Sequence, residues 1–367
     1  MIIILTLASI PPTTAQEDTT DQANEPMQHG LVNLDHLLFL TEPVMFDVQG
    51  DAQDVAIVHI YSEYPEYEWV DAAGEGITAV DDVARAAIVY LWYYEQTDDT
   101  RALDYAKLCL EFVRYMQTED GYFYNFTYDA AGTINTEGNT SYKTLQGWWA
   151  MRGLWALAEG VRVFGTADPA YAAELESAYR LTESALAANL AEYGVYSSLH
   201  GFSIPNWIPG GAPDVASVEL LALTSYYRAK PNPDTAALIA HIADGIAAYR
   251  LGDSQTYPFG MIPVTTNAPG YWHAWGSHMV HALADAGAAL DRQDWIDVAA
   301  ATADTFLIRQ LAFERIREIG ILPNRLDQIA YGTNMLVQDF MALHRATGED
   351  RYAQYAGLAA SWYFGNN

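Results

Sequence analysis

A pair of antiparallel helices recurs along this 367-residue chain, and no other feature limits its fold as strongly. Helices led by a loop begin near Thr78, Thr144, Asp214, Trp272 and Gly332, at intervals of 66, 70, 58 and 60 residues. Each is followed by a second helix, beginning near Thr100, Asp168, Pro233, Gln293 and Glu349. The turns between partners are short and carry helix-start chemistry, as in Ala167-Asp168-Pro169 and Asn232-Pro233-Asp234. The connections from one pair to the next are long, over residues 118–143, 194–213, 252–271 and 318–331. Short turns therefore lie on one side of the array and long loops on the other.

A repeat of two helices over some sixty residues builds either a solenoid or a closed ring. The first helices decide between them. The one from Thr144 carries Trp148, Trp149, Met151, Leu154, Trp155 and Leu157, apolar over more than one stripe, as a helix buried on both sides must be. The second helices are more amphipathic, with Arg101, Asp104, Lys107, Glu111 and Arg114 at helical spacing. The expectation is an all-α fold, an (α/α)6-type toroid of helical hairpins with a short N-terminal strand or extension over residues 55–61. Five hairpins are visible, and the segment 31–40 supplies one further helix at most. The ring is thus expected to be open by one helix, or the chain to be a truncated gene product.

Charge and the N-terminus narrow the function classes. Asp plus Glu number 47 against 18 Lys plus Arg, a net charge of −29. Nucleic acid is excluded as an expected partner, because phosphate binding needs a cationic surface. Residues 1–16 hold an apolar run from Ile2 to Ile10 and a small-residue stretch ending at Ala15, which reads as a signal-like segment and predicts a secreted or periplasmic protein. Residues 17–30 have the composition of a tether, and residues 31–367 read as a single toroid domain with no membrane span. The lone Cys109 sits in an apolar helical setting and is expected to be packed in the core. The sequence leaves the oligomeric state open.

If all long loops gather at the N-terminal ends of the inner helices, they form one mouth. Its residues are aromatic and acidic: Glu63, Glu75, Asp81 and Asp82 come from the first loop, and Tyr124, Asn125, Glu137 and Trp148 from the second. Trp207 and Asp214 come from the third, Trp272, His273 and Trp275 from the fourth, and Arg325, Asp327 and Tyr331 from the fifth. Aromatic faces stack on sugar rings while carboxylates and amides bind hydroxyls, so a carbohydrate is the expected substrate. Neither a metal nor a cofactor is expected. His273, His278 and His281, at spacings of five and three, do not share one tight face, and no glycine-rich nucleotide loop occurs.

Four stretches carry a resemblance to a known family. They are Gly74 to Ala86 (Gly-Glu-Gly-Ile-Thr-Ala-Val-Asp-Asp-Val-Ala-Arg-Ala), Gly147-Trp148-Trp149, Trp272-His273-Ala274-Trp275-Gly276, and Ser361 to Asn367. From Gly74 onward the pattern resembles the six-hairpin glycosidase-like toroids. These include glycoside hydrolases, unsaturated glucuronyl hydrolases, some polysaccharide lyases and sugar epimerases. The resemblance implies the architecture and matches no single activity.

Glycoside hydrolysis needs two carboxyl groups, and the candidates are Asp81, Asp82, Asp327 and Glu75. Successive residues on a helix point about 100° apart. Asp82 can therefore pair with Arg85 at i+3 while Asp81 faces the cavity. A polysaccharide lyase or uronate epimerase is the alternative. It needs a cation to neutralise the carboxylate beside the abstracted proton, for which Arg325 and Lys143 are placed. A non-catalytic glycan-binding protein is the third reading. Plain structural roles compete throughout: Asp81 and Asp214 as first-turn charges, the row from Tyr61 to Trp69 as a solubilising rim, and Trp148, Trp149 and Trp155 as core.

Overall fold

The computed structural model describes residues 26–48, 50–274, 276–312 and 330–365. The signal-like segment and most of the tether lie outside the described residues, as do Trp275, Asn324, Arg325, Asp327 and Gln328. The chain divides into two compact units, the first ending at Phe39 and the second running from Leu40. In the first, β1 (Gln28–His29) and β2 (Val32–Asn33) pair antiparallel. Helix α1 (Asp35–Leu40) follows, with its first N–H donating to Asn33 Oδ1 at 2.7 Å and its last residue opening the second unit.

The second unit begins with β-structure that the sequence reading undercounts. Strands β3 (Thr41–Val48) and β4 (Asp51–Val58) form an antiparallel ribbon in register from Thr41 opposite Val58 to Val48 opposite Asp51. Its inner face rests on the second helix of the first hairpin, with Phe46 against Phe112 and Tyr115 at 6.0 and 4.8 Å between ring centres. The alternation that marks a strand is hidden in β3 because Met45 faces outward while Glu42 turns toward His59, 2.9 Å away. Short ribbons β5 (Tyr61–Glu63) with β6 (Glu68–Val70), β7 (Thr78–Ala79) with β8 (Phe126–Thr127), and β9 (Tyr196–Leu199) with β10 (Phe202–Pro205) dress the long loops. The single strand expected at residues 55–61 is thus one member of a set of two-stranded ribbons.

The rest is helical hairpins. The inner helices are α2 (Val80–Thr97), α4 (Trp148–Ala167), α6 (Pro213–Ala229), α8 (Met279–Leu290) and α11 (Ala330–Thr347). Their outer partners are α3 (Thr100–Met116), α5 (Pro169–Ala188), α7 (Pro233–Ala248), α9 (Gln293–Thr302) and α12 (Asp350–Ala360). Helix α9 widens into a π turn at Ala303–Leu307 before the short α10 (Ile308–Ala312). The short turns work as read: Asp99, Asp168 and Asn232 accept the N–H groups of Arg101, Tyr171 and Thr235 at the starts of outer helices. Inner helices pack in sequence, α2 on α4, α4 on α6, α6 on α8 and α8 on α11. Helix α4 buries Trp149 to Val161 without a break, which fixes it as an inner-ring element. Cys109 is fully buried on α3, and burial pushes its thiol pKa up.

One helix start differs from the reading. The stretch beginning at Trp272 was expected to open an inner helix, and α8 opens at Met279 instead. Trp272 is drawn into the core against Phe306, 5.0 Å between ring centres. Gly276 has φ 138° and lies under the Trp148 ring, so close that a β-carbon there would overlap the indole. None of the described helices is long and apolar enough to cross a membrane.

Candidate functional site

The first turns of the inner helices converge on a buried arginine that the sequence reading passed over. Arg152, one turn into α4, has a side chain only 6% exposed. Its Nη1 donates to Asp81 Oδ1 of α2, and its Nη2 donates to the Tyr331 hydroxyl of α11 at 3.0 Å. The guanidinium also lies over the Trp148 ring, 4.8 Å from its centre. Desolvation alone would lower the arginine pKa, but Asp81 and Tyr331 outweigh it and Arg152 stays charged.

Asp81 and Asp82 part as the helical step requires, with one revision. Asp82 meets Arg85 at 2.5 Å, as expected from the i+3 spacing. Burial raises the Asp82 carboxyl pKa despite the pull of Arg85, and the neighbouring Asp81 charge adds to the rise. Asp81 faces inward, with its carboxylate held by Arg152 Nη1. Asn125 closes the start of α2, with its carbonyl accepting from Val80 N at 2.8 Å and its Oδ1 from Asp81 N at 3.4 Å.

Two histidines and a further carboxyl complete the network. The Tyr331 oxygen already accepts from Arg152, so its O–H remains a donor, and His278 Nε2 lies 3.4 Å away. Burial, with the nearby charges of His281, Arg152 and Arg85, holds His278 neutral, well below the usual imidazole range. Asp214, in the first turn of α6, is pushed up to about 7 by burial, partly opposed by Val215 N–H and by Arg152. His273 Nε2 lies 3.6 Å from Asp214 Oδ2, and burial lowers its pKa to about 4. The site thus holds a fixed cation, two neutral imidazoles and a carboxyl that titrates near neutrality.

The other expected site residues separate into rim and core. Glu75 accepts from Thr140 Oγ1 and its carbonyl accepts from Asn135 Nδ2 at 2.7 Å, which ties the first loop to the second. Glu137 is exposed on that second loop, and Glu63 is exposed at the end of the β5–β6 ribbon. Tyr124 is half-buried, its N–H donating to Met116 O at 3.1 Å. Trp207 and Trp272 are each 2% exposed and serve the core, Trp207 beside Tyr193 and Tyr196. Of the expected aromatics, Trp148 and Tyr331 are brought to the charged network, and Trp155 lies edge-on to His278 with 5.9 Å between ring centres. Asp327 and Trp275 fall outside the described residues.

Arg152 was missed although it had a signal, and His278 was weighed only as a metal ligand. Arg152 is the only charge in the apolar run Trp148 to Ala158, and a charge on an all-apolar helix must find a buried partner.

No protein-family model and no curated protein sequence matches the chain. Solved structures do match. A sugar epimerase from a ruminal bacterium aligns with a TM-score of 0.62 at 16% identity, covering 83% of this chain and 79% of that one. The cellobiose 2-epimerase of Bacillus thermoamylovorans gives 0.58 at 13%, with 83% and 79% covered. A D-mannose isomerase gives 0.51 at 15%, with 78% and 75% covered. The likeness is one of fold: the chain is an α/α toroid.

Proposed function

We propose that the chain is an enzyme acting on a neutral carbohydrate, and that its loop-bearing end moves a proton at the carbon beside the carbonyl of an open-chain sugar, giving an epimer or an isomer. The observation that carries this reading is the buried Arg152 fork with Tyr331 and His278 behind it. Removing such a proton sends the electron pair to the carbonyl oxygen and makes an enediolate. An anion there is stabilised by a fixed guanidinium and a hydroxyl donor in a water-poor site. The glycoside-hydrolysis transition state is instead oxocarbenium-like, and N–H donors of a guanidinium give its positive charge no stabilisation.

Asp214 suits the proton-transfer role, because a carboxyl titrating near 7 can both take and return a proton at neutral pH. Return to the opposite face of the same carbon gives the epimer, and return to the former carbonyl carbon gives the isomer. His273 and the Tyr331–His278 pair are the other groups able to carry that proton. The sugar epimerase, cellobiose 2-epimerase and mannose isomerase among the fold neighbours support this class. The apolar run from Ile2 to Ile10 supports export, and we place the enzyme outside the cytoplasm.

A second reading keeps Asp214. Protonated near neutrality, it is a fit general acid for glycoside hydrolysis, with Asp82 as the second carboxyl. Incubation with neutral mono- and disaccharides in D2O separates the readings. Deuterium at carbon 2 of an uncleaved sugar is the expected result. Reducing ends released without carbon-bound label would favour hydrolysis, and binding without either would favour a non-catalytic role.

A further inference from the structure

A cavity of about 500 Å³ opens at the end of the ring opposite the long loops. Its rim is built from the last turns of four inner helices, through Glu95, Arg162, Arg228 and Arg345. Its inner wall reaches Trp155 and His281, which stand between it and His278 of the loop-bearing end. None of the residues of the Arg152 fork lines it.

The lining is charged yet balanced. Arg162 holds Glu95 through Nη1 and Nη2 at 2.5 and 2.6 Å, and it also meets Glu159 at 2.7 Å. Across the cavity, Asp285 takes Arg228 at 3.2 Å, Arg345 at 3.5 Å and the His281 ring at 3.3 Å. Three arginines thus meet three carboxylates, which leaves no net attraction for an ionic ligand. The fixed carboxylates keep lone pairs, and the arginines keep N–H groups, that face a guest.

Two further observations point to what the guest is. Trp92 and Trp155, 6.0 Å apart and inclined at 67°, give the wall an aromatic corner. Ser225 Oγ and Gln338 Oε1, on α6 and α11, are buried without a hydrogen-bond partner among the described residues, although Ser225 is only 4% exposed. Buried polar groups in that state call for a partner. An aromatic corner, unsatisfied neutral polar atoms and cancelled charges together select an uncharged polyhydroxylated molecule. The volume falls within the usual range of about 300–1,000 Å³ for small-molecule pockets.

We propose that this cavity is a second binding site, for a neutral mono- or disaccharide, separate from the loop-bearing end. It does not depend on which reaction that end performs, because the test reads binding alone. The full chain is titrated with glucose, cellobiose and glucose 6-phosphate by calorimetry and tryptophan fluorescence. Three variants are compared with the wild type: Met341→Trp, which fills the cavity; Gln338→Met, which removes its amide; and Tyr331→Phe at the loop-bearing end. The expected result is a neutral-sugar component that is unchanged in Tyr331→Phe, abolished in Met341→Trp and weakened by up to about tenfold in Gln338→Met. The sugar phosphate should bind more weakly than glucose. A Tyr331→Phe-insensitive component that survives in Met341→Trp or is stronger for the phosphate, sugar binding that is lost only in Tyr331→Phe, or no binding of any sugar overturns the proposal. If Met341→Trp does not fold, unchanged affinity in Gln338→Met overturns it on its own.

Discussion

At the loop-bearing end of the ring, Arg152 is sealed among three helices and its partners come from far along the chain, Asp81 71 positions before it and Tyr331 179 positions after it. At the short-turn end the arginines reach into the open, with Arg228 and Arg345 42% and 54% exposed although their shared partner Asp285 is buried. Charge of similar kind therefore does different things. Buried, it shifts neighbouring groups and constrains chemistry; exposed, it is screened and contributes little to stability. The turns repeat the contrast. Those joining partner helices are closed by local caps, while the long loops are closed by contacts such as Asn135 with Glu75 and Gly276 with Trp148.

The comparison is broken most directly by Asp81→Asn. It would leave the Arg152 charge buried without its counter-charge and should cost about 3–5 kcal/mol, read from chemical denaturation. A variant with wild-type stability would mean that Arg152 is not sealed.

Asp214→Asn sharpens the same point through pH. Burial raises the folded-state pKa of Asp214 to about 7, above the ordinary carboxyl value of about 3.9. Folding therefore favours its protonated form. Below the unfolded pKa the wild type and the variant should match. As pH rises toward 7, the wild type should lose stability relative to the variant, by up to about 4 kcal/mol. A difference that does not depend on pH would place Asp214 in ordinary solvent. Activity should fall in this variant at every pH.

Gly276→Ala tests the long-range closure of a loop. The new methyl must displace the Trp148 indole at a backbone angle that disfavours side chains, and a loss of about 1–3 kcal/mol is expected, with weaker turnover because Trp148 backs Arg152. The smallest effect belongs to the short-turn end. Asp98 closes α2 at φ 57°, and Asp98→Gly should raise stability by about 0.5 kcal/mol without touching activity. A melting temperature that falls in Asp98→Gly would show that the turn depends on more than its backbone angle.

What was legible in the sequence follows the same division. Hairpins, caps and the Asp82–Arg85 pair could be read because their causes lie within a few residues. The Arg152 fork could not be placed, since nothing local reveals that Asp81 and Tyr331 reach the same guanidinium. Trp207 and Trp272 looked like sugar platforms because a tryptophan in a loop carries no mark of its burial; the fold settles them against Tyr193, Tyr196 and Phe306. The β3–β4 ribbon was half legible, its inner Glu42 and outer Met45 concealing the alternation.

The central claim is that Arg152 holds an anion-stabilising site for proton transfer on a sugar. Arg152→Lys keeps the charge and removes the planar fork that reaches Asp81 and Tyr331 together. Deuterium uptake from D2O into carbon 2 of a reducing sugar, followed by mass spectrometry for the wild type and the variant, tests it most directly. Uptake by the wild type is expected, with a loss of at least about a hundredfold in a variant that circular dichroism shows to be folded. Equal uptake by both proteins, or glycoside cleavage with no label on carbon, would contradict it.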